Sequence, residues 1–385
     1  MTATARPQPR AVVVGAGALG GWTALHLVRL GWGVTLVDAW GPGNGRASSG
    51  GETRVIRRSY GHRDHYVPLV TRALDLWTEL EAEAGVRLMD RRGVLWLASD
   101  PGEFERSSID AFRAGGVPFE ELNRAELEAR FPSICVADVP WAVFEPDAGA
   151  LLARRGCEVV WRAVERTGGR TLRSTAYPDL DSNGDCRGVR LADGTVLDAE
   201  VTVFAAGPWM PELFPNVLGR HLEVTRQDVF SFGPPPGAEA HLSLPVWAEH
   251  AAQVFGDDSF WYGIPDGLSR GFKLGEDTHG GPWDPTHGDR VVDPARLDRA
   301  RAYLAHRFPG LAGAPLIDAR VCQYTMRERS EILVDRHPGA ARLWLVGGGS
   351  GHGYKLGPAI GEVAARAIAD DAEVPEALAA LRLQP

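Results

Sequence analysis

Apolar positions along this chain follow two periods, and the first change of period comes almost at once. Ala11 to Val14 is an unbroken apolar run, Leu19, Trp22, Leu25 and Leu27 recur along a helix, and Val34-Thr-Leu-Val37 is apolar again before Asp38. Buried strand, helix and buried strand follow from that pattern. Val70, Leu74, Trp77 and Leu80 then mark an amphipathic helix over 67–85. Residues 93–98 read as a strand, 101–114 and 124–130 as helices, and 144–152 as a turn feeding a helix that carries Cys157 and Trp161. Asp193-Gly194 signals a hairpin, and Val201–Phe204 a buried strand ending on Ala205, Ala206 and Gly207. Residues 222–287 alternate, are rich in aromatics and are punctuated by Pro and Gly, the pattern of an antiparallel sheet. A helix over 293–308 precedes a last strand at Leu343–Val346, a glycine loop and a helix through 361–369.

At 385 residues the chain exceeds one ordinary core and is expected to form two joined domains. The pattern points to an α/β (two-domain α+β) chain. Its Rossmann-like domain is discontinuous, over 1–90, 145–220 and 318–385, with an antiparallel-sheet substrate domain interleaved at 91–144 and 221–317. The net charge of −9 and the lack of a basic tract argue against nucleic acid as a partner. The first ten residues have no apolar leader and no later run reaches the length of a membrane span, so a cytoplasmic protein with no membrane partner is expected. Cys135, Cys157, Cys186 and Cys322 show no paired spacing, which disfavours a zinc site and a disulfide framework.

The glycines of the first turn carry the first chemistry. Gly15 lets the chain reverse, Gly17 admits backbone close to a pyrophosphate, Gly20 lets helix pack on strand, and Asp38 ends the second strand where a ribose hydroxyl pair is held. A second glycine loop, Gly347 to Gly353, opens the last helix and gives a second anion-stabilising N-terminus. A flavin has use for one near N1 and O2 of its reduced ring. Lysine is the other signal: among 41 basic residues only Lys273 and Lys355 are lysine, in the like settings Gly-Phe-Lys-Leu-Gly and Gly-Tyr-Lys-Leu-Gly. A compact ammonium at those two places, in a chain that otherwise uses arginine, reads as functional. Arg54 and Arg57 are three apart and read as one face of a helical turn, able to grip a carboxylate or flank a cofactor, or simply solvated.

Gly-Ala-Gly-Ala-Leu-Gly20, Gly51-Glu-Thr-Arg-Val-Ile-Arg57, Tyr262-Gly-Ile-Pro265, Phe272-Lys-Leu-Gly275, Val321-Cys-Gln-Tyr-Thr325 and Gly349-Ser-Gly-His-Gly-Tyr-Lys355 together resemble the monomeric sarcosine oxidase and N-methyltryptophan oxidase group of the D-amino-acid oxidase superfamily. The resemblance spans nearly the whole chain in order. It implies FAD, tethered covalently through Cys322, and oxidation of an amino acid or related secondary amine to an imine, with O2 reduced to hydrogen peroxide by a monomeric enzyme. It implies that Lys273 activates oxygen, that Arg54 and Tyr262 belong with it to the catalytic set, and that Arg57 and Lys355 bind the substrate carboxylate. Cofactor contacts fall to Gly15, Gly17, Gly20, Asp38, Ser48, Arg54, Gly207, Cys322, Gly349, Gly351, His352, Gly353 and Lys355. Sarcosine-oxidising members of the group have histidines where this chain has Ser48-Ser49-Gly50, and another imidazole where it has Asp277, with His279 two places on. Asp277 is thereby expected in the substrate pocket, and the substrate differs from sarcosine. A same-fold dehydrogenase with another acceptor, an NAD(P)-linked dehydrogenase and a non-catalytic flavin-binding redox sensor remain as alternatives.

Overall fold

The computed structural model describes residues 8–181, 185–266, 268–278 and 280–383; His279 lies outside them. Strand β1 (Arg10–Val14), helix α1 (Ala18–Arg29) and strand β2 (Gly33–Asp38) form the expected opening. β1 lies in a six-stranded sheet between β2 and the strand Val201–Phe204, parallel to both. Ala340–Gly347 continues the parallel order, Leu333–His337 adds an antiparallel edge on that side, and Arg170–Arg173 closes the other. Parallel strands buried on both faces are nearly all apolar, and Val12, Val13, Leu36 and Val203 are all buried.

A second sheet of eight strands is antiparallel except where Val246–His250 runs parallel to Val94–Ala98. Its aromatic residues Trp247, Trp261 and Phe272 pack with Tyr303 of the helix Pro294–Arg307 and with Phe308, which caps that helix, into one core. The edge strand Leu316–Arg327 pairs with Leu222–Phe232 along its length, so the boundary expected at 318 falls inside a strand. Three short strands, β3 (Thr53–Ile56), Met89–Asp90 and Gly149–Leu152, make a small sheet with Gly149–Leu152 in the middle.

That small sheet corrects two expectations. Arg54 lies in β3 and Arg57 just beyond it, so the two do not share a helical face. Residues 144–152 are a turn only at their centre. The strand Trp141–Glu145 ends there, and Gly149–Leu152, all buried, forms a strand before the helix Ala153–Arg166. A short, wholly apolar run gives no period to tell turn from strand. The last helix also differs: it runs Gly353–Ala369, through Pro358, so Lys355 sits in its first turn and not in the glycine loop. Pro358 falls in the second turn, where it forgoes the amide bond that would close on the Tyr354 carbonyl, yet the helix runs on, packed along α1. A Cβ on Gly357 would stand 2.9 Å from the Ala18 carbonyl oxygen, and one on Gly361 2.7 Å from the Thr23 nitrogen.

Candidate active site

Two adjoining cavities lie where these sheets meet. The first, of about 350 Å³, is lined by the opening turn (Gly15, Gly17, Asp38), by Ser48, by Gly207 and by the second glycine loop (Gly349, Gly351, Gly353). Gly15 has φ +108°, and a Cβ there would stand 2.3 Å from the Ala205 carbonyl oxygen, so no other residue fits this turn. Gly20 lines neither cavity; a Cβ there would lie 2.1 Å from the Gly15 oxygen, which makes it the packing glycine of the turn. One Asp38 oxygen accepts the amide of Ala16 (2.8 Å), and the other those of Trp40 (2.9 Å) and Gly41 (2.8 Å). Burial raises its pKa against the pull of those amides. Oδ2, with the Ala16 amide alone, keeps accepting capacity.

The second cavity, of about 240 Å³, joins the first at Arg54, Tyr324, Ser350, Gly351 and Tyr354. One face of the eight-stranded sheet forms its floor. Asp318, Arg320, Cys322 and Tyr324 line it from alternate positions of the edge strand, and Tyr262 and Lys273 line it from two neighbouring strands. Ser231, which also lines it, stands opposite both Lys273 and Asp318 in the register. Arg54 bonds the carbonyls of Thr53 (2.7 Å), Ser48 (2.6 Å) and Gly50 (2.6 Å) and reaches Cys322 Sγ at 3.8 Å. Lys273 Nζ donates to the Thr53 carbonyl at 3.0 Å. Burial, then the Arg54 charge, lowers its pKa to about 7.

A further wall carries Arg57, Arg63, His352 and Lys355. The Arg57 guanidinium stands 4.9 Å from the centroids of both Tyr60 and Trp96. Lys355 Nζ stands 5.0 Å from that of Tyr60 and donates to the His352 carbonyl at 3.2 Å. His352 Nε2 lies 2.7 Å from the Ser330 carbonyl, which makes that nitrogen the donor and leaves Nδ1 to accept from Tyr60 Oη at 3.1 Å. Burial first, then the Lys355 charge, holds this imidazole neutral. Asp277 lines the same cavity. The expected substrate pair, Arg57 and Lys355, thus share one wall, both against the Tyr60 ring, although 298 positions of sequence lie between them. Among the expected cofactor contacts, His352, Lys355 and Cys322 border this second cavity and not the first.

Sequence reasoning missed Arg320, Tyr324, Tyr60 and Arg63. The first two were within reach: once Cys322 is placed on a strand, the positions two away face the same way. Tyr60 and Arg63 lie in an irregular segment whose direction no period reveals.

A dinucleotide fits the first cavity. Ser48 Oγ is buried there without a hydrogen-bond partner among the described residues, the cradle is glycine where a Cβ would fill it, and two helix N-termini open onto it. A diphosphate cradle opening onto cations and a buried thiol defines a dinucleotide-dependent redox protein. Residues 10–367 match the DAO family of FAD-dependent oxidoreductases, and the chain belongs to that family. Monomeric sarcosine oxidase from Bacillus sp. (strain B-0618) is 30% identical over 358 residues, covering 91% of this chain and 90% of that one. N-methyl-L-tryptophan oxidase from Yersinia pestis (strain Pestoides F) is 30% identical, covering 92% and 93%. Among solved structures, the amino acid oxidase NikD superposes with a TM-score of 0.80 over 98% of both chains at 20% identity. L-proline dehydrogenase from P. horikoshii gives 0.82 over 96% of this chain and 95% of that one at 19% identity. These last two describe the fold.

Proposed function

We propose that this enzyme oxidises the C–N bond of an amino acid or related secondary amine to an imine, with dioxygen as acceptor and hydrogen peroxide as product. The observation that carries the reading is one cavity joining Arg57 and Lys355 on one wall to Lys273 and Cys322 on the floor. The chemistry that FAD would supply when bound is two-electron oxidation of the amine, with dioxygen then taking up the electron pair. The chain's own residues do the rest. Arg57 and Lys355 bind the substrate carboxylate, two cations on one anion, and so orient the carbon next to nitrogen. Buried Tyr60 and Trp96 exclude water from that wall. No protein base is assigned, because a neutral amine needs none. Lys273 stabilises negative charge developing on oxygen, and Arg54 and Tyr262 complete the set around it.

Gly15, Gly17, Asp38, Ser48, Gly207, Gly349, Gly351 and Gly353 would hold the diphosphate and ribose end of FAD, and Cys322 would tether its ring. The six-stranded sheet is then the cofactor-binding part and the eight-stranded sheet the substrate-binding part. The same reading makes the enzyme a cytoplasmic monomer, which gel filtration and cell fractionation test; no helix among the described residues is long and apolar enough to cross a membrane.

The deciding experiment mixes purified protein with a panel of N-methyl and cyclic amino acids. Anaerobic bleaching of the flavin, and peroxide formed at the rate of substrate loss in air, are expected. Bleaching with no peroxide, and turnover only with a dye acceptor, would replace the oxidase with a dehydrogenase. Acid-precipitated protein should stay yellow, and Cys322→Ser should release the colour; a colourless wild-type precipitate refutes the tether.

A further inference from the structure

Glu145 ends the strand Trp141–Glu145 fully buried, and it forms no ion pair among the described residues. A buried carboxylate is costly unless donors surround it. Here they come from two consecutive residues of another segment. The Arg58 amide donates at 2.8 Å, the Ser59 amide at 3.2 Å, and the Ser59 hydroxyl donates as well. Both residues directly follow Arg57, past the end of β3, where no strand partner supplies the backbone with acceptors. Arg57 Nη1 in turn donates to the Ser59 carbonyl. Tyr60, the next residue, lies under both Arg57 and Lys355.

One carboxylate thus holds the stretch that carries the Arg57 cation and the aromatic ring beneath the clamp. Its charge acts as well: burial lowers the pKa of Arg57 and of Lys355, and Glu145 is among the groups opposing that shift in each. A carboxylate is suited to this task because it accepts at both oxygens. Glutamine in its place would turn an N–H₂ toward donors and leave at least one buried N–H or O–H unpaired.

We infer that Glu145 is a positioning residue for recognition of the substrate carboxylate, fixing Arg57 and Tyr60 through the backbone of Arg58 and Ser59. This rests on the reading of Arg57 and Lys355 as the carboxylate clamp. A merely structural carboxylate would affect every substrate alike, so the test compares an N-methyl amino acid with its carboxamide, in wild type and in Glu145→Gln. For the free acid, KM should rise about tenfold, the loss expected for a misplaced charge-assisted contact, with kcat little changed. For the carboxamide, which does not engage the clamp, KM should barely move. Ser59→Ala, a milder change, should shift KM for the free acid the same way by a smaller factor, and Glu145→Asp should recover part of the loss. If Glu145→Gln does not fold, those two variants carry the comparison. Equal losses on acid and carboxamide, or an unchanged KM for the acid, overturn the assignment. Should no amine reduce the wild-type flavin, the oxidase reading falls, and propionate titrated into the holoenzyme and followed by flavin absorbance decides the role of Glu145. Weaker propionate binding in Glu145→Gln supports it; equal binding overturns it.

Discussion

Lys273 holds an ammonium where its surroundings resist one. Burial and the neighbouring Arg54 charge bring its pKa down to about 7. Below that pH the amine carries its positive charge and above it the charge is lost. Oxygen reduction beside Lys273 should therefore slow as pH rises through about 7, while substrate oxidation should not follow that curve; stopped-flow measurement of the two half-reactions separates them. Lys273→Met should slow reoxidation by about a hundredfold, the scale of removing one preorganised charge-stabilising group, and should flatten the pH profile. Equal effects on reduction and reoxidation would remove the oxygen role. Lys273 and Lys355 were legible in the sequence because a chain that otherwise uses arginine shows each lysine as an exception. The partners that give them their properties were not legible. Thr53 bonds Lys273 from 220 positions away in sequence, and Tyr60 lies against Lys355 from a segment far removed from the last helix.

At the scale of elements, the contact between α1 and the last helix carries a pH dependence of its own. His26 on α1 reaches the Pro358 carbonyl through Nε2 at 3.1 Å and stacks on Trp22 at 5.7 Å. Burial lowers its pKa from 6.5 to about 4. The unfolded chain therefore binds this proton first. Its stabilising effect is complete above about 6.5 and is lost as pH falls toward about 4, a change of up to about 3 kcal/mol. Urea unfolding at the two ends of that range should show wild type losing stability and His26→Gln losing less. A parallel pH dependence in both would place the proton elsewhere. The helix itself explains why its start was misplaced from sequence. Glycines and a proline mark a loop in local propensity, yet Gly357 and Gly361 are what lets this helix approach α1, and packing outweighs propensity there.

Across the whole molecule, FAD held as proposed would lie across both sheets and help tie them together. The first cavity is built on the six-stranded sheet and the second on the eight-stranded one, and they meet at Arg54, Tyr324 and the second glycine loop. Binding that favours the native state raises stability by mass action, by about 2.7 kcal/mol at a hundredfold excess over Kd. Cys322→Ser protein stripped of FAD should thus melt lower than the same protein with FAD restored, in a concentration-dependent way. Gly20→Val should abolish that response, since its side chain would collide with the Gly15 carbonyl. A melting point indifferent to FAD would show that the two sheets hold together without it.

What the sequence determined by itself was everything whose cause is local. Apolar period gave the strand, helix and strand of the opening, the amphipathic helix after it and the antiparallel segment. Glycines that must turn, approach or pack gave the cradle at Gly15, Gly17 and Gly20. Only the tertiary structure decided direction and company. Arg54 and Arg57 take their roles from β3 and the turn beyond it, because positions three apart share a face in a helix and not in a strand. Glu145 meets Arg58 and Ser59, and Cys322 meets Arg54, across separations that no local pattern encodes. Contacts of that kind arise when separate apolar faces are buried together, and burial fixes which polar groups are left facing one another.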